Sequence, residues 1–381
     1  MIEADLDPIP ASSLLGLSGG WRARRDRLLS SPRFQRWATA FPLTRWIARR
    51  HARALFDLCA GFVYSQVLLA CVRLRVFDHL AEGPLPLKVL AKRLDLPEDA
   101  TRTLLEAARS LRLLERRRGG YGLGLLGAAL RGNPGVAAMI EHHPLLYADL
   151  ADPVALLRGE PTSRALAAYW PYAGHQAAPE LGRPVTAGYT ALMSISQAMI
   201  AAEILDAYPI DRHRCLLDVG GGDGTFLAAA AARAPKLRLI LFDLPAVVEQ
   251  AKARLTRAGL AHRATICGGD FTSDSLPRDA DVATLVRVLH DHDDGKALRI
   301  LKALRHCLGV DGTLLVAEPM ADTPGADPIG HAYFGFYLKA MGSGRPRSAQ
   351  EIAALLRAAG FAKVTSVGTR SPMLTSLLVA R

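Results

Sequence analysis

Two stretches of this 381-residue chain carry side chains able to move a proton. Behind an apolar run at 283–289 comes Val288-Leu289-His290-Asp291-His292-Asp293-Asp294, and 28 residues after His290 the run 313–317 delivers Glu318. An imidazole titrates near neutral pH, so His290 suits general-base work on a hydroxyl. A carboxylate beside it would orient the ring and stabilise the imidazolium that forms. That is the role expected of Glu318; the alternative is a solvated loop acid. The histidines and aspartates also allow a metal reading, which ranks second. No matching ligand cluster occurs elsewhere in the sequence. Asp293 and Asp294 stand where a helix over 295–308 begins, and carboxylates suit that end of the dipole. His292 reads as a helix-start residue, and no metal is expected.

A second kind of chemistry is binding by bare backbone. Cys215–Val219 reads as a buried strand, and a helix over Thr225–Arg233 follows the glycines at 220–224. Glycines between a strand and a helix N-terminus bring the main chain against a ligand. Gly220, Gly222 and Gly224 are spaced G-x-G-x-G with Thr225 next, which fits the dinucleotide pattern G-x-G-x-x-G poorly. A second run, 237–242, ends in Asp243, placed to accept both ribose hydroxyls of an adenosine-containing ligand or to cap the helix near Pro245. A third run, 264–267, precedes Asp270-Phe271, which suits an adenine: ring on ring, carboxylate near the exocyclic amine.

The glycine loop, with Asp218 before it, resembles motif I of S-adenosylmethionine-dependent methyltransferases. From Tyr189 to the C-terminus the chain resembles the O-methyltransferase family that includes plant caffeate and bacterial polyketide enzymes. The resemblance implies an α/β fold: a class I methyltransferase, Rossmann-like C-terminal domain behind a mostly helical, winged-helix-like dimerisation domain. It implies S-adenosyl-L-methionine as cofactor, with Asp218, Gly220, Gly222, Gly224, Asp243, Asp270, Phe271 and Arg287 around it. In this family the Leu-His-Asp histidine, here His290, is the base and a glutamate 28 residues on, here Glu318, its partner. A second family glutamate lies in a Gly-Gly-Lys-Glu-Arg-type segment. This chain reads Gly342-Ser343-Gly344-Arg345-Pro346-Arg347-Ser348, with proline in its place, so one glutamate is assigned. By family position Tyr189, Met193, Tyr337 and Met341 border the acceptor. Segments 54–66, 149–159, 169–172, 189–197 and 286–294 are similar to a bacterial branch that methylates hydroxylated acyclic carotenoids. That implies a carotenoid acceptor with a tertiary hydroxyl and a homodimer. A phenolic or polyketide acceptor is the alternative, and a DNA-binding regulator with a ligand-sensing methyltransferase fold a remote one.

The elements that position these residues divide the chain into a basic amphipathic arm (1–53), a helical winged-helix dimerisation domain with linker helices (54–185) and a methyltransferase domain (186–381). Cysteines 59, 71, 215, 267 and 307 show no C-x-x-C pair and read as buried thiols of a reducing, cytoplasmic compartment. No signal peptide opens the sequence. The most apolar stretch, 58–72, is broken by Ser65 and Gln66 and reads as too short for a bilayer, so a buried or dimer-forming helix is expected. The net charge of +11 is uneven: Trp21 to Arg53 holds ten arginines and one acid among aromatic and aliphatic residues. That pattern suits peripheral contact with anionic lipid, or an arm packed on a partner subunit, in equal measure. Leu87–Leu94, a turn at 95–97, a helix over 100–111 and a hairpin over 113–125 outline a winged helix. Glu98, Asp99 and Glu106 would oppose phosphates there, so no nucleic acid is expected. Tyr147, Tyr169, Trp170 and Tyr172 line a substrate channel or fill an interdomain core, the core being preferred.

Overall fold

The computed structural model describes residues 20–160, 163–170 and 183–381, without the side chains of 183–192 and 195. Helices Gly20–Leu29 and Pro32–Ala40 form the arm and lead into Arg45–Arg73. That last helix corrects two expectations. It has 29 residues, so by length and composition it could cross a bilayer, whereas the apolar stretch alone looked too short. Of the two roles expected for it, buried or dimer-forming, only the first fails within the chain: Leu69 and Cys71 are buried, while Leu58 is 82% and Phe62 70% exposed. Cys59 is likewise exposed rather than buried.

The winged outline forms from helices Leu87–Leu94 and Glu98–Ser110 with strands β1 (Leu114–Arg117) and β2 (Gly120–Leu123). The strands pair antiparallel from Leu114↔Leu123 to Arg117↔Gly120. Leu90, Leu105, Leu114 and Tyr121 close its core with Cys71 and Phe77. Glu106 accepts a hydrogen bond from Tyr121 Oη (2.7 Å) and is paired with Arg109, so this acid serves the fold of the wing.

The C-terminal part is built on a seven-stranded sheet. Its strands are β3 (Cys215–Val219), β4 (Arg238–Asp243), β5 (Ala264–Gly268), β6 (Val282–Val286), β7 (Thr313–Glu318), β8 (Val364–Val367) and β9 (Ser376–Ala380). The order is β5-β4-β3-β6-β7-β9-β8, parallel except for β9, which runs antiparallel to β7 and β8. Central parallel strands are buried on both faces and therefore read as unbroken apolar runs. Cys215, Leu217 and Val219 point into one core with Ile300 and Leu304; Leu216 points into the other with Ile204 and Phe226. The chain builds outward from β3 through β4 to β5, then returns to lay β6 on the other side of β3. At such a reversal the carboxyl ends of neighbouring strands splay apart and leave a crevice. The loops after β3 and β6 meet there.

Candidate active site

The loop leaving β3 is held open to the crevice by its glycines. Gly220 has φ +70°, and a Cβ there would lie 2.7 Å from Val288 Cγ2. Its N–H donates to Phe242 O (2.9 Å) and that of Gly222 to Asp243 Oδ2 (2.7 Å), so the end of β4 fixes the loop. Asp243 Oδ1 also accepts from Leu244 N (2.7 Å). Burial pushes the Asp243 carboxyl up to about 6, outweighing these two hydrogen bonds. Asp218 lies beneath the loop, not on the crevice wall. Its Oδ1 accepts from Thr284 Oγ1 (2.6 Å), its Oδ2 is buried without a partner, and burial raises it to about 7. Gly224 likewise stays off the wall, as the left-handed residue that opens helix Thr225–Arg233.

The turn after β6 is shorter and tighter than the sequence suggested. The strand stops at Val286 rather than 289, Arg287 takes φ +59°, and a 3₁₀ turn over Leu289–Asp291 presents His290. Glu318, at the end of β7, is buried and takes up this turn from below. Its Oε1 accepts from Val288 N (2.9 Å) and Leu289 N (2.7 Å), and its Oε2 meets His290 Nδ1. The other ring nitrogen of His290, Nε2, stands 3.2 Å from Asp291 Oδ1. Pro346 brings no carboxylate, so the second acid at this histidine is its own neighbour. Burial alone would lower the His290 pKa, but the Glu318 and Asp291 carboxylates reverse this and raise it.

A clamp from 343–347 closes over the turn. Arg345 N donates to His290 O (3.0 Å) and Ser343 Oγ to Asp291 O (2.7 Å). Buried Arg347 donates to Leu289 O and His292 O, both at 2.7 Å, and to Asp294 Oδ1.

Together these loops wall a cavity of about 430 Å³. Gly220, Gly222, Asp243, Asp270, Phe271, Arg287 and His290 share it with Met193, Tyr337 and Met341. Asp218, Gly224 and Glu318 act from behind the wall, and the side chain of Tyr189 lies outside the described residues. Tyr172 also falls outside them. Trp170 both lines the cavity and belongs to a buried cluster, so channel and core were not alternatives. Sequence reasoning missed Asp291, His292, Tyr333 and Phe334 as wall residues. The aromatic spacing 333-334-337 ahead of Met341 was the available signal, and a π-helix over Pro328–Phe334 sets it. His292 meets the Phe271 ring edge-on at 5.6 Å, and burial lowers its pKa. Among the described residues no three histidine, cysteine or acid side chains cluster as a metal site would require.

Bare backbone at Gly220 and Gly222, an acid closing β4 and an aromatic ring after β5 fit an adenosine-containing cofactor, and nothing stands within 4 Å of a Cβ placed on Gly222. The fold and this crevice define a class I methyltransferase. Residues 147–362 match the O-methyltransferase domain family and 56–130 its dimerisation domain, and the chain belongs to this family of S-adenosylmethionine-dependent O-methyltransferases. It is 44% identical to the demethylspheroidene O-methyltransferase of Cereibacter sphaeroides, over 97% of each chain. It is 41% identical to that of Rhodobacter capsulatus, over 93% of this chain and 88% of the relative. The crystal structure of human N-acetylserotonin methyltransferase in complex with SAM superposes with a TM-score of 0.69 at 26% identity. That likeness covers 97% of the human chain but 87% of this one, leaving about fifty residues here without a counterpart.

Proposed function

We propose that this O-methyltransferase acts on the tertiary hydroxyl of an acyclic, 1-hydroxylated carotenoid, with His290 as general base and Glu318 as its positioning partner. The observation that carries the acceptor class is the state of the tyrosine hydroxyls in the cavity wall. Tyr337 Oη accepts from Trp170 Nε1 (2.7 Å) and bonds His142 Nε2 (2.8 Å); Tyr333 Oη bonds His143 Nε2 (3.0 Å). Burial lowers His142 to about 4 and His143 in the same direction, so both rings are neutral near pH 7. Those hydroxyls are committed to the helix Pro134–Asp149 and to Trp170. What these rings turn to an acceptor is aromatic carbon, which with the thioethers of Met193 and Met341 makes an apolar face that adapts to a flexible chain, although Gln197 and Asp291 also line the cavity. Polar substituents of an acceptor that met this apolar face would be left unpaired on binding. The similarity to two demethylspheroidene O-methyltransferases supports the same acceptor.

Gly220, Gly222, Asp243, Asp270, Phe271 and Arg287 would hold S-adenosylmethionine, with Asp218 and Gly224 shaping the loop from behind. When bound, it supplies an electrophilic methyl group. The remaining work is done at the acceptor oxygen. A tertiary alcohol is far less acidic than a phenol, so its proton must leave as the oxygen is alkylated. His290 Nε2 takes that proton while Nδ1–H stays on Glu318, whose other oxygen is fixed by two backbone N–H groups. Asp291 adds a second negative charge beside the imidazolium. Because the acceptor dissolves in lipid, the same reading places the enzyme at a membrane surface, and nucleic acid has no part in it.

The test is expression in a bacterium accumulating 1-hydroxylated acyclic carotenoids, with mass spectrometry of the pigments. A pigment heavier by one CH₂ is expected, falling roughly 10²–10⁴-fold with His290→Ala. No shift, with the purified protein still binding cofactor, would move the acceptor to the phenolic class. Undiminished product from His290→Ala would remove the base assignment.

A further inference from the structure

We propose that the arm, comprising helices Gly20–Leu29 and Pro32–Ala40 and the opening turns of Arg45–Arg73, docks on an anionic phospholipid surface. Every one of the ten arginines from Arg22 to Arg53 is exposed. Among the described residues only Arg25 and Arg53 meet a carboxylate, Asp26 at 2.7 Å and Asp57 at 3.9 Å. The same segment exposes Trp21, Trp37, Leu43 and Trp46. Trp37 stacks on Phe41 at a centroid distance of 4.9 Å and meets Phe34 tilted at 5.6 Å, while Ala38 is buried. Aromatic rings with guanidinium groups on long stems beside them suit the boundary between acyl chains and anionic headgroups.

A second copy of the chain is the other occupant to weigh, and charge argues against it. Where a two-fold axis passes through the arm each patch meets itself, so two arms with ten arginines and one aspartate apiece would face each other. The aliphatic and aromatic stripe suited to a partner subunit lies further along, at Leu55, Leu58 and Phe62, two of them within the matched dimerisation segment 56–130. The proposal goes beyond the acceptor assignment and does not depend on it.

The experiment is sedimentation of the nuclease-treated full-length protein with vesicles of phosphatidylcholine, alone or with phosphatidylglycerol. Binding is expected to the phosphatidylglycerol vesicles, weakening with added salt. Arg33→Gln/Arg36→Gln/Arg49→Gln should weaken it by roughly fivefold per arginine while leaving cofactor binding unchanged. Trp37→Ala/Trp46→Ala should weaken it at low and high salt alike. Equal binding to both vesicle types, or wild-type binding by the triple arginine variant, would overturn the proposal. So would loss of the dimer in that variant with no vesicle binding by the wild type, which would make the arm a subunit contact.

Discussion

His290 is held between two acids of different standing. Glu318 is buried and bound by two backbone N–H groups, so it is fixed; Asp291 belongs to the same turn and approaches the nitrogen proposed to accept the proton. Both favour the imidazolium, and the histidine pKa is raised in spite of burial. A base with a raised pKa is protonated over more of the neutral range, so kcat/KM should rise with pH through a limb above the ordinary histidine value. Asp291→Asn removes one of the two charges that raise it and should move that limb to lower pH. A pH–rate profile for the two proteins checks this; coincident limbs would mean that Asp291 does not act on His290. His290 and Glu318 were legible as a pair because each closes an apolar run at the carboxyl edge of a parallel sheet. Asp291 was not, because adjacency in sequence says nothing about which way a turn aims its side chains.

At the scale of elements, the turn Leu289–Asp291 owes its shape to segments distant in sequence. The apolar run at 283–289 predicts a strand to its end. Glu318 captures the N–H groups of Val288 and Leu289, Arg287 goes left-handed, and pairing with β7 stops at Val286. From above, Arg347 satisfies the carbonyls of Leu289 and of His292 just past the turn, and a Cβ on Gly344 would lie 2.0 Å from His290 O. Arg347→Ala should cost about 1–3 kcal/mol for each carbonyl left unsatisfied. By loosening the turn it should also lower kcat up to roughly a hundredfold with little change in cofactor affinity. Arg347→Lys, which cannot reproduce the planar fork, should recover only part of this. Denaturant titration beside single-turnover kinetics measures both; wild-type kcat in Arg347→Ala would leave the arginine a structural role only.

At the scale of the whole molecule, the exposed apolar face of Arg45–Arg73 is the feature a single chain leaves unfinished. The dimerisation-domain match begins at residue 56, within that helix, and Leu58 and Phe62 stand open to solvent. Leu58→Asp/Phe62→Asp should therefore shift the protein toward monomer in analytical ultracentrifugation, and an unchanged dimer would place the subunit contact elsewhere. The sequence by itself determined the alternation of strands and helices, the glycine loop and the acids closing β4 and β7, because each rests on local periodicity or on residues whose chemistry tolerates few settings. Only the tertiary structure decided that Asp218 and Gly224 stand behind the cavity wall, and that the tyrosine hydroxyls are consumed by His142, His143 and Trp170. It also decided that Arg347 and Gly344 lock the turn bearing His290. Those outcomes depend on which surfaces meet across more than fifty residues of chain, and no spacing along one element encodes such a meeting.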